Sequence, residues 1–394
     1  MKAGQFFLLI RTLFNCGAAC TTSVATVFLL SKGISYVELG TIWGVYLFVI
    51  SVTDFPTGGL ADIIGRKKTF ALGSLFNGVS QIVYGLAPNY PLLILAAILS
   101  GLGSAQVSGS LQAWLVDELQ KENRRKQVGL YFGKARAYGS VGKFIIGLLI
   151  GLLMKNNLKI LFLISGFIYV CTAVVSVLFF NDNYGDTSKG ISISKKAILH
   201  FIKSRPLIMF SLIMTIYYLI YTVFIFIYQP RAIELGLKVN FLGYLQSLNA
   251  IFMGLGSYYA GELSLKIKPK ILLISSYCIF FISLVFISAT NLQLFLGGLV
   301  SFYLATGMYF PIYKSWCNEY ISSSVRASVM SLLSTIASGF NVLFQVLVGW
   351  AIKMFGSKTV LLITSLTCLI SIMLIYVIAL EDSKNKPFLL QIKK

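Results

Sequence analysis

Residues 54–68 read Asp54-Phe55-Pro56-Thr57-Gly58-Gly59-Leu60-Ala61-Asp62-Ile63-Ile64-Gly65-Arg66-Lys67-Lys68. An apolar run ends in paired glycines, an acid follows, and a third glycine opens onto three cations. Each residue type has a use at the mouth of a membrane helix. Gly58 and Gly59 let one helix approach another closely, and Gly65 permits a tight turn. Asp62 and Arg66 are placed to lock that turn as an ion pair. The run Arg66-Lys67-Lys68 marks an inside loop, because Lys and Arg accumulate on the cytoplasmic side of membrane proteins.

Working outward, the rest of the chain supports a membrane reading. Of 394 residues, 57% are hydrophobic and only 12% charged, and the mean hydropathy is +0.82. A soluble domain carries about a quarter charged residues. A spanning helix needs roughly 20 apolar residues, and such runs recur along the chain. Stretches such as Leu92–Leu99 and Val360–Leu380 lack the polar–apolar alternation of a barrel strand. Twelve helices are predicted at 5–30, 37–60, 69–87, 91–116, 129–153, 158–180, 206–229, 240–263, 270–288, 291–316, 328–353 and 358–380. The fold class is therefore an all-α integral membrane protein with 12 transmembrane helices.

Charge sets the expected orientation. With the N-terminus inside, the inside segments hold 21 Lys and Arg and the outside loops 7, so both termini are expected in the cytoplasm. The net charge of +20 then reads as a topology signal and an attraction to anionic membrane lipid. No soluble face exists to carry nucleic acid. An internal repeat divides the chain. Asp117-Glu118-Leu119 and Arg125 recur as Asn318-Glu319-Tyr320 and Arg326 at one offset of 201. The expected organisation is two pseudo-symmetric six-helix bundles, 1–180 and 206–380, joined by a cytoplasmic linker, 181–205, and followed by a short basic cytoplasmic tail, 381–394. Repeats of this kind mark secondary transporters, with the substrate site between the halves.

The loop at 58–68 resembles the signature loop of the major facilitator superfamily: a glycine, Leu-Ala-Asp, two residues, then Gly-Arg-Lys. The resemblance implies the fold of that family, a monomer, and a gate formed by Gly58, Gly59, Asp62, Gly65, Arg66 and Lys67. It also implies that Asp117, at the inner end of the fourth helix, joins the Asp62–Arg66 pair. Two other family patterns are broken. Ala97 stands where the family has an arginine before Gly101-Leu102-Gly103. Lys143 occupies the proline position of a fifth-helix pattern that is common in proton-exchanging exporters. Both departures count against simple drug–proton antiport.

A charge at membrane depth costs roughly 2.5–3.5 kcal/mol on insertion scales, so each marks a candidate site. Arg11, Asp54, Lys134, Arg136, Lys143 and Lys314 fall within predicted spans. Arg11 and Asp54 lie at similar depth and are expected to pair. Lys134, Arg136 and Lys314 are near enough to helix ends to snorkel. Lys143 lies about 20 Å along its helix at about 1.5 Å per residue, and is read as a substrate contact or a titrating group. Asn15, Thr22, Gln106, Gln112, Tyr217, Tyr221, Asn249 and Gln345 are polar or aromatic candidates for the cavity wall. Glu38, Glu118, Glu262 and Glu319 fall near helix ends, so no acid is central. That inventory predicts an anionic or zwitterionic small-molecule substrate rather than a cationic drug.

Catalysis finds no support. Asp117 and Glu118 adjoin in sequence but point to different faces of a helix, and the one histidine, His200, lies in the linker. Six cysteines sit in or beside apolar runs without metal-ligand spacing. No catalytic residue, metal site or cofactor is expected, and without an ATP site a proton or substrate gradient would drive transport. The Lys- and Ile-rich usage suits an AT-rich bacterium and hence its inner membrane. The leading expectation is a secondary active transporter working by alternating access, with export favoured. Proton-coupled import of an anionic nutrient, cationic multidrug efflux and a transporter-like sensor stand as alternatives.

Overall fold

The computed structural model describes residues 3–154, 157–179, 183, 195–322 and 325–389, with backbone alone for 55–63, 195–196, 327 and 382–389. Among them are thirteen α-helices and no strand. The first are α1 (Ala3–Thr22) and α2 (Ala25–Ser31). The sequence predicts one helix here, but the hydroxyls of Thr21 and Ser23 donate to the carbonyls of Ala18 (3.4 Å) and Cys20 (3.1 Å). Such back-bonding competes with the helix ladder, and the chain turns at Ser23 and Val24.

A capping box opens α3 (Tyr36–Ile64). The Ser35 hydroxyl accepts from the Glu38 amide (3.3 Å), and the Glu38 carboxylate accepts from the Ser35 amide (2.7 Å). The helix stops at Gly65, whose φ of 101° lies in the left-handed region that favours glycine. The next helix, α4 (Arg66–Leu86), starts at the following residue. Asn89 caps α5 (Tyr90–Lys121) by accepting from the Leu92 amide (3.2 Å). Then come α6 (Val128–Leu153), α7 (Lys159–Phe179), α8 (Lys195–Lys203), α9 (Arg205–Glu234), α10 (Phe241–Ser264) and α11 (Pro269–Ser288). The Asn291 side chain accepts from the amides of Gln293 (2.8 Å) and Leu294 (3.1 Å) at the start of α12 (Leu292–Asn318). The last helix, α13 (Arg326–Leu389), bends at Gly356, where φ is 76°.

Joining α1 to α2, setting aside the short α8 and dividing α13 at Gly356 recovers the twelve predicted spans. Nine of the helices among the described residues are long and apolar enough to cross a membrane, α13 counting once. The predicted spans at 69–87 and 240–263 correspond to α4 and α10, which fall outside that set. Their polar side chains, among them Asn77, Ser80, Gln246 and Ser247, are buried against protein, so these two helices do not need to be apolar all round. The predicted linker contains α8. The predicted tail continues the last helix as far as Leu389, and Glu381 pairs with Arg205 at 3.1 Å.

The chain forms two units: Met1–Ile191 with Ala232–Ile251 and Gln345–Gly349, and Ser192–Arg231 with Phe252–Phe344 and Trp350–Lys394. In the first, α4 lies against α5 and α7, α3 against α5, and α1 against α6 and α7. Without a hydrophobic drive between helices in lipid, such packing relies on close backbone approach and interhelical hydrogen bonds. Ser80 donates to the Ala96 carbonyl (2.8 Å) and Ser165 to that of Gly17 (2.7 Å). The start of α10 packs just as closely: Ser247 donates to the Phe144 carbonyl (2.8 Å) and Asn240 to that of Gly151 (3.0 Å).

The second unit is built on stacked aromatic rings. Tyr217 and Tyr309 lie 4.1 Å apart, nearly parallel, and Phe224 and Phe302 lie 3.9 Å apart. Two of the buried hydroxyls find carbonyls, Tyr277 to Ile213 (2.8 Å) and Tyr313 to Phe210 (3.0 Å), as buried tyrosines usually do. One face of α8 packs inward through Ala197 and through His200, whose Nε2 lies 3.2 Å from the Tyr320 carbonyl.

Candidate functional site

At the break between α3 and α4 the residues of the signature loop come together with α5. The Arg66 guanidinium forms an ion pair with Asp117 and donates to the Ala113 carbonyl (3.0 Å). Both partners come from the last turns of α5, so one arginine spans a carboxylate and a backbone acceptor. Gly65 makes this possible: its turn starts α4 at Arg66, and Thr69 secures the turn by donating to the Gly65 carbonyl (3.0 Å). Lys67 is half-buried beside it. The side chains of 55–63, and with them Gly58, Gly59 and Asp62, lie outside the described residues.

Asn183 completes this clasp. Its carbonyl accepts from the Arg66 amide (3.0 Å), and its side-chain amide donates to the Trp114 carbonyl (3.2 Å) and to Glu118 (3.1 Å). Glu118 in turn pairs with Lys121 at 2.7 Å. Sequence reasoning assigned Asn183 only to the linker. A lone asparagine beyond a helix end carries no signal, because its partners lie far away in the chain.

A second constellation lies along the seam between α1 and α6. The two helices run side by side in the same direction, with Gly4 against Tyr131, Asn15 against Gly139, and Thr12 and Cys16 against Gly142. This seam brings together Arg11, Arg136 and Lys143, and Lys143 feels the positive charges of both arginines. Arg11 and Lys143 are half-buried, while Arg136 is exposed. The Arg11 guanidinium sits 6.0 Å from the centre of the Phe14 ring. None of the three cations belongs to an ion pair among the described residues.

The expected Arg11–Asp54 pair does not form among the described residues. Asp54 is exposed and accepts from the Ser108 hydroxyl at 2.8 Å. The reason is topological: α1 packs mainly on α6 and α7, with Phe6 reaching Trp114 of α5, whereas α3 packs on α5. Equal depth does not bring two helices face to face.

The other candidates scatter. Gln106 is buried, and its side-chain oxygen has no hydrogen-bond partner among the described residues. Tyr217 is fully enclosed in the aromatic stack, and the half-buried Tyr221 ring lies 6.0 Å from it. Asn249 is half-buried on α10, Gln345 is buried on α13, and Lys314 is exposed near the end of α12. The acids near helix ends have local work: Glu38 caps α3, Glu118 holds Asn183, and Glu122 pairs with Arg124 at 3.0 Å. Among the described residues no group of three His, Cys, Asp or Glu could hold a metal ion.

Comparison with known proteins fits this geometry. The family model of the Major Facilitator Superfamily matches residues 7–338 and 211–394. The uncharacterized MFS-type transporter MJ1560 of Methanocaldococcus jannaschii is 21% identical over 341 residues, covering 85% of this chain and 87% of that protein. The quinolone resistance protein NorA of Staphylococcus aureus is 23% identical over 189 residues, 47% of each chain. The crystal structure of the nucleoside transporter NupG superposes with a TM-score of 0.81 at 12% identity, covering 96% of this chain and 99% of that one. That last likeness concerns the fold alone. The chain belongs to the Major Facilitator Superfamily, and is a multi-pass membrane transporter rather than an enzyme.

Proposed function

We propose that this protein is a secondary active transporter that moves a small anionic or zwitterionic organic solute across the bacterial inner membrane by alternating access. The observation that carries this reading is the cluster of Arg11, Arg136 and Lys143, three cations at one seam with no acid paired to them among the described residues. Holding like charges together at membrane depth is costly, and an anionic ligand would relieve that cost. Asn15, at the same seam, would supply a neutral polar contact. Export is the favoured direction, since one relative is named for quinolone resistance. A proton or substrate gradient would drive it.

The clasp of Arg66, Asp117 and Asn183 is read as the gate, on the cytoplasmic side because basic residues crowd that end. Both termini would then be cytoplasmic. The moving bodies would be residues 1–180 and 206–380, joined through 181–205.

The test is transport into proteoliposomes of a labelled panel: a monocarboxylate, a dicarboxylate, a dipeptide, a sugar phosphate and a lipophilic cation. At least one anion or zwitterion should be carried, and Lys143→Glu should slow it by about tenfold or more, as reversal of a contact charge implies. Transport of the cation alone, or anion transport untouched by the reversal, would overturn the reading.

A further inference from the structure

Asn183 stands four residues beyond the end of α7 and is only 4% exposed. A buried polar side chain must find partners or cost stability; the nitrogen of this one reaches across the fold to find two, and its side-chain oxygen has none among the described residues. Its carbonyl takes the amide of Arg66, the first residue of α4. That N–H is one of the four at a helix start with no acceptor inside the helix. Its side-chain nitrogen gives one hydrogen bond to a backbone carbonyl, that of Trp114, and one to a carboxylate, that of Glu118.

The residue type follows from these partners. Both side-chain contacts are acceptors, so the position needs two donors on one short side chain, which a neutral carboxamide supplies. A carboxylate there could donate to neither and would set a like charge beside Glu118. An aliphatic side chain would leave both acceptors without that donor. We infer that Asn183 is the positioning residue of the clasp: it fixes the start of α4, and hence the Arg66 guanidinium, against Asp117 and the last turns of α5. It also ties the chain leaving the first six spans to the same point. The consequence for transport rests on reading the clasp as the gate; the positioning role does not.

The test is hydrogen exchange by mass spectrometry on the full-length protein in detergent, which needs no substrate. Asn183→Asp should speed exchange of the amides in residues 64–70 by about tenfold or more, as loss of buried hydrogen bonds predicts. Asn183→Asp combined with Glu118→Gln reverses donor and acceptor. That pair should bring the rate about threefold or more back toward wild type, since the new amide can donate to the new carboxylate while the donor that Asn183 gave the Trp114 carbonyl is still missing. A merely packed side chain would gain nothing from the exchange of roles. Should the single aspartate variant fail to fold, Asn183→Ala carries the same prediction with a smaller effect. Wild-type exchange in both single variants, or a double variant no better than Asn183→Asp, would overturn the assignment. Exchange as expected with unaltered transport of the panel would instead count against the clasp as a gate and leave the positioning role standing.

Discussion

Replacing Arg66 by alanine removes the guanidinium that joins α4 to α5, and the structure sets the size of the loss. The side chain of Arg66 is 12% exposed and that of Asp117 35%. A hydrogen bond to a charged group contributes about 1.5–3 kcal/mol, and breaking one side of a fully buried pair costs about 3–5 kcal/mol. Water can reach the orphaned Asp117, so the lower range applies, about 2 kcal/mol for Arg66→Ala. Asp117→Ala removes a carboxylate from the more buried partner, which keeps the Ala113 carbonyl, and should cost about 2–3 kcal/mol. Residues in direct contact couple by about 0.5–3 kcal/mol, so the double variant should be about 1–2 kcal/mol less destabilised than the sum of the singles. Arg66→Lys keeps the charge but loses the planar fork that meets two acceptors at once, and should fall between wild type and alanine. Equilibrium unfolding in mild detergent, titrated with a denaturing detergent, measures all four corners of the cycle. Additivity within about 0.3 kcal/mol would refute the pair as an energetic unit.

Other consequences follow from single positions. A Cβ on Gly147 would collide with the Ser247 hydroxyl and stand 2.6 Å from the Gly243 carbonyl, so Gly147→Val should destabilise by about 1–3 kcal/mol. Gly297 has open space around it, and Gly297→Ala should leave the melting temperature unchanged or slightly raised. Lys32 donates to the Ala87 carbonyl at 2.7 Å, and burial together with the charge of Lys159 holds its ammonium below the ordinary lysine value. Between that lowered value and the ordinary one, the unfolded chain keeps a proton that the folded chain has released. Wild-type stability therefore gains with rising pH in this window relative to Lys32→Met. Parallel pH profiles for the two proteins would contradict the assigned shift.

What could be read in advance depended on whether the signal was local. Run length and charge gave the spans, because a bilayer demands apolar length from each segment alone. The tight turn at Gly65 was legible for the same reason, although the predicted spans ended at 60 and resumed at 69, whereas α3 runs to Ile64 and α4 starts at Arg66. The split of the first span was not, since Thr21-Thr22-Ser23 sits in an apolar context that reads as continuous helix. Depth along a helix was also legible, and it placed Arg11 level with Asp54. Azimuth was not, and the main neighbours of α1 proved to be α6 and α7. The same limit concealed the role of Asn183, whose partners at Arg66, Trp114 and Glu118 are 117, 69 and 65 residues away. Lys143 stood out by its type and depth, but only the packing of α1 on α6 reveals that Arg11 shares its surroundings.

The most direct test of the account is a thermal-shift screen of the purified protein in detergent against anionic, zwitterionic and lipophilic cationic compounds, repeated on Lys143→Ala. A ligand that binds the folded state raises the melting temperature by mass action. The account predicts stabilisation by one or more anions or zwitterions, and its loss in Lys143→Ala. Stabilisation by lipophilic cations that persists in the variant would contradict it and place the substrate site elsewhere.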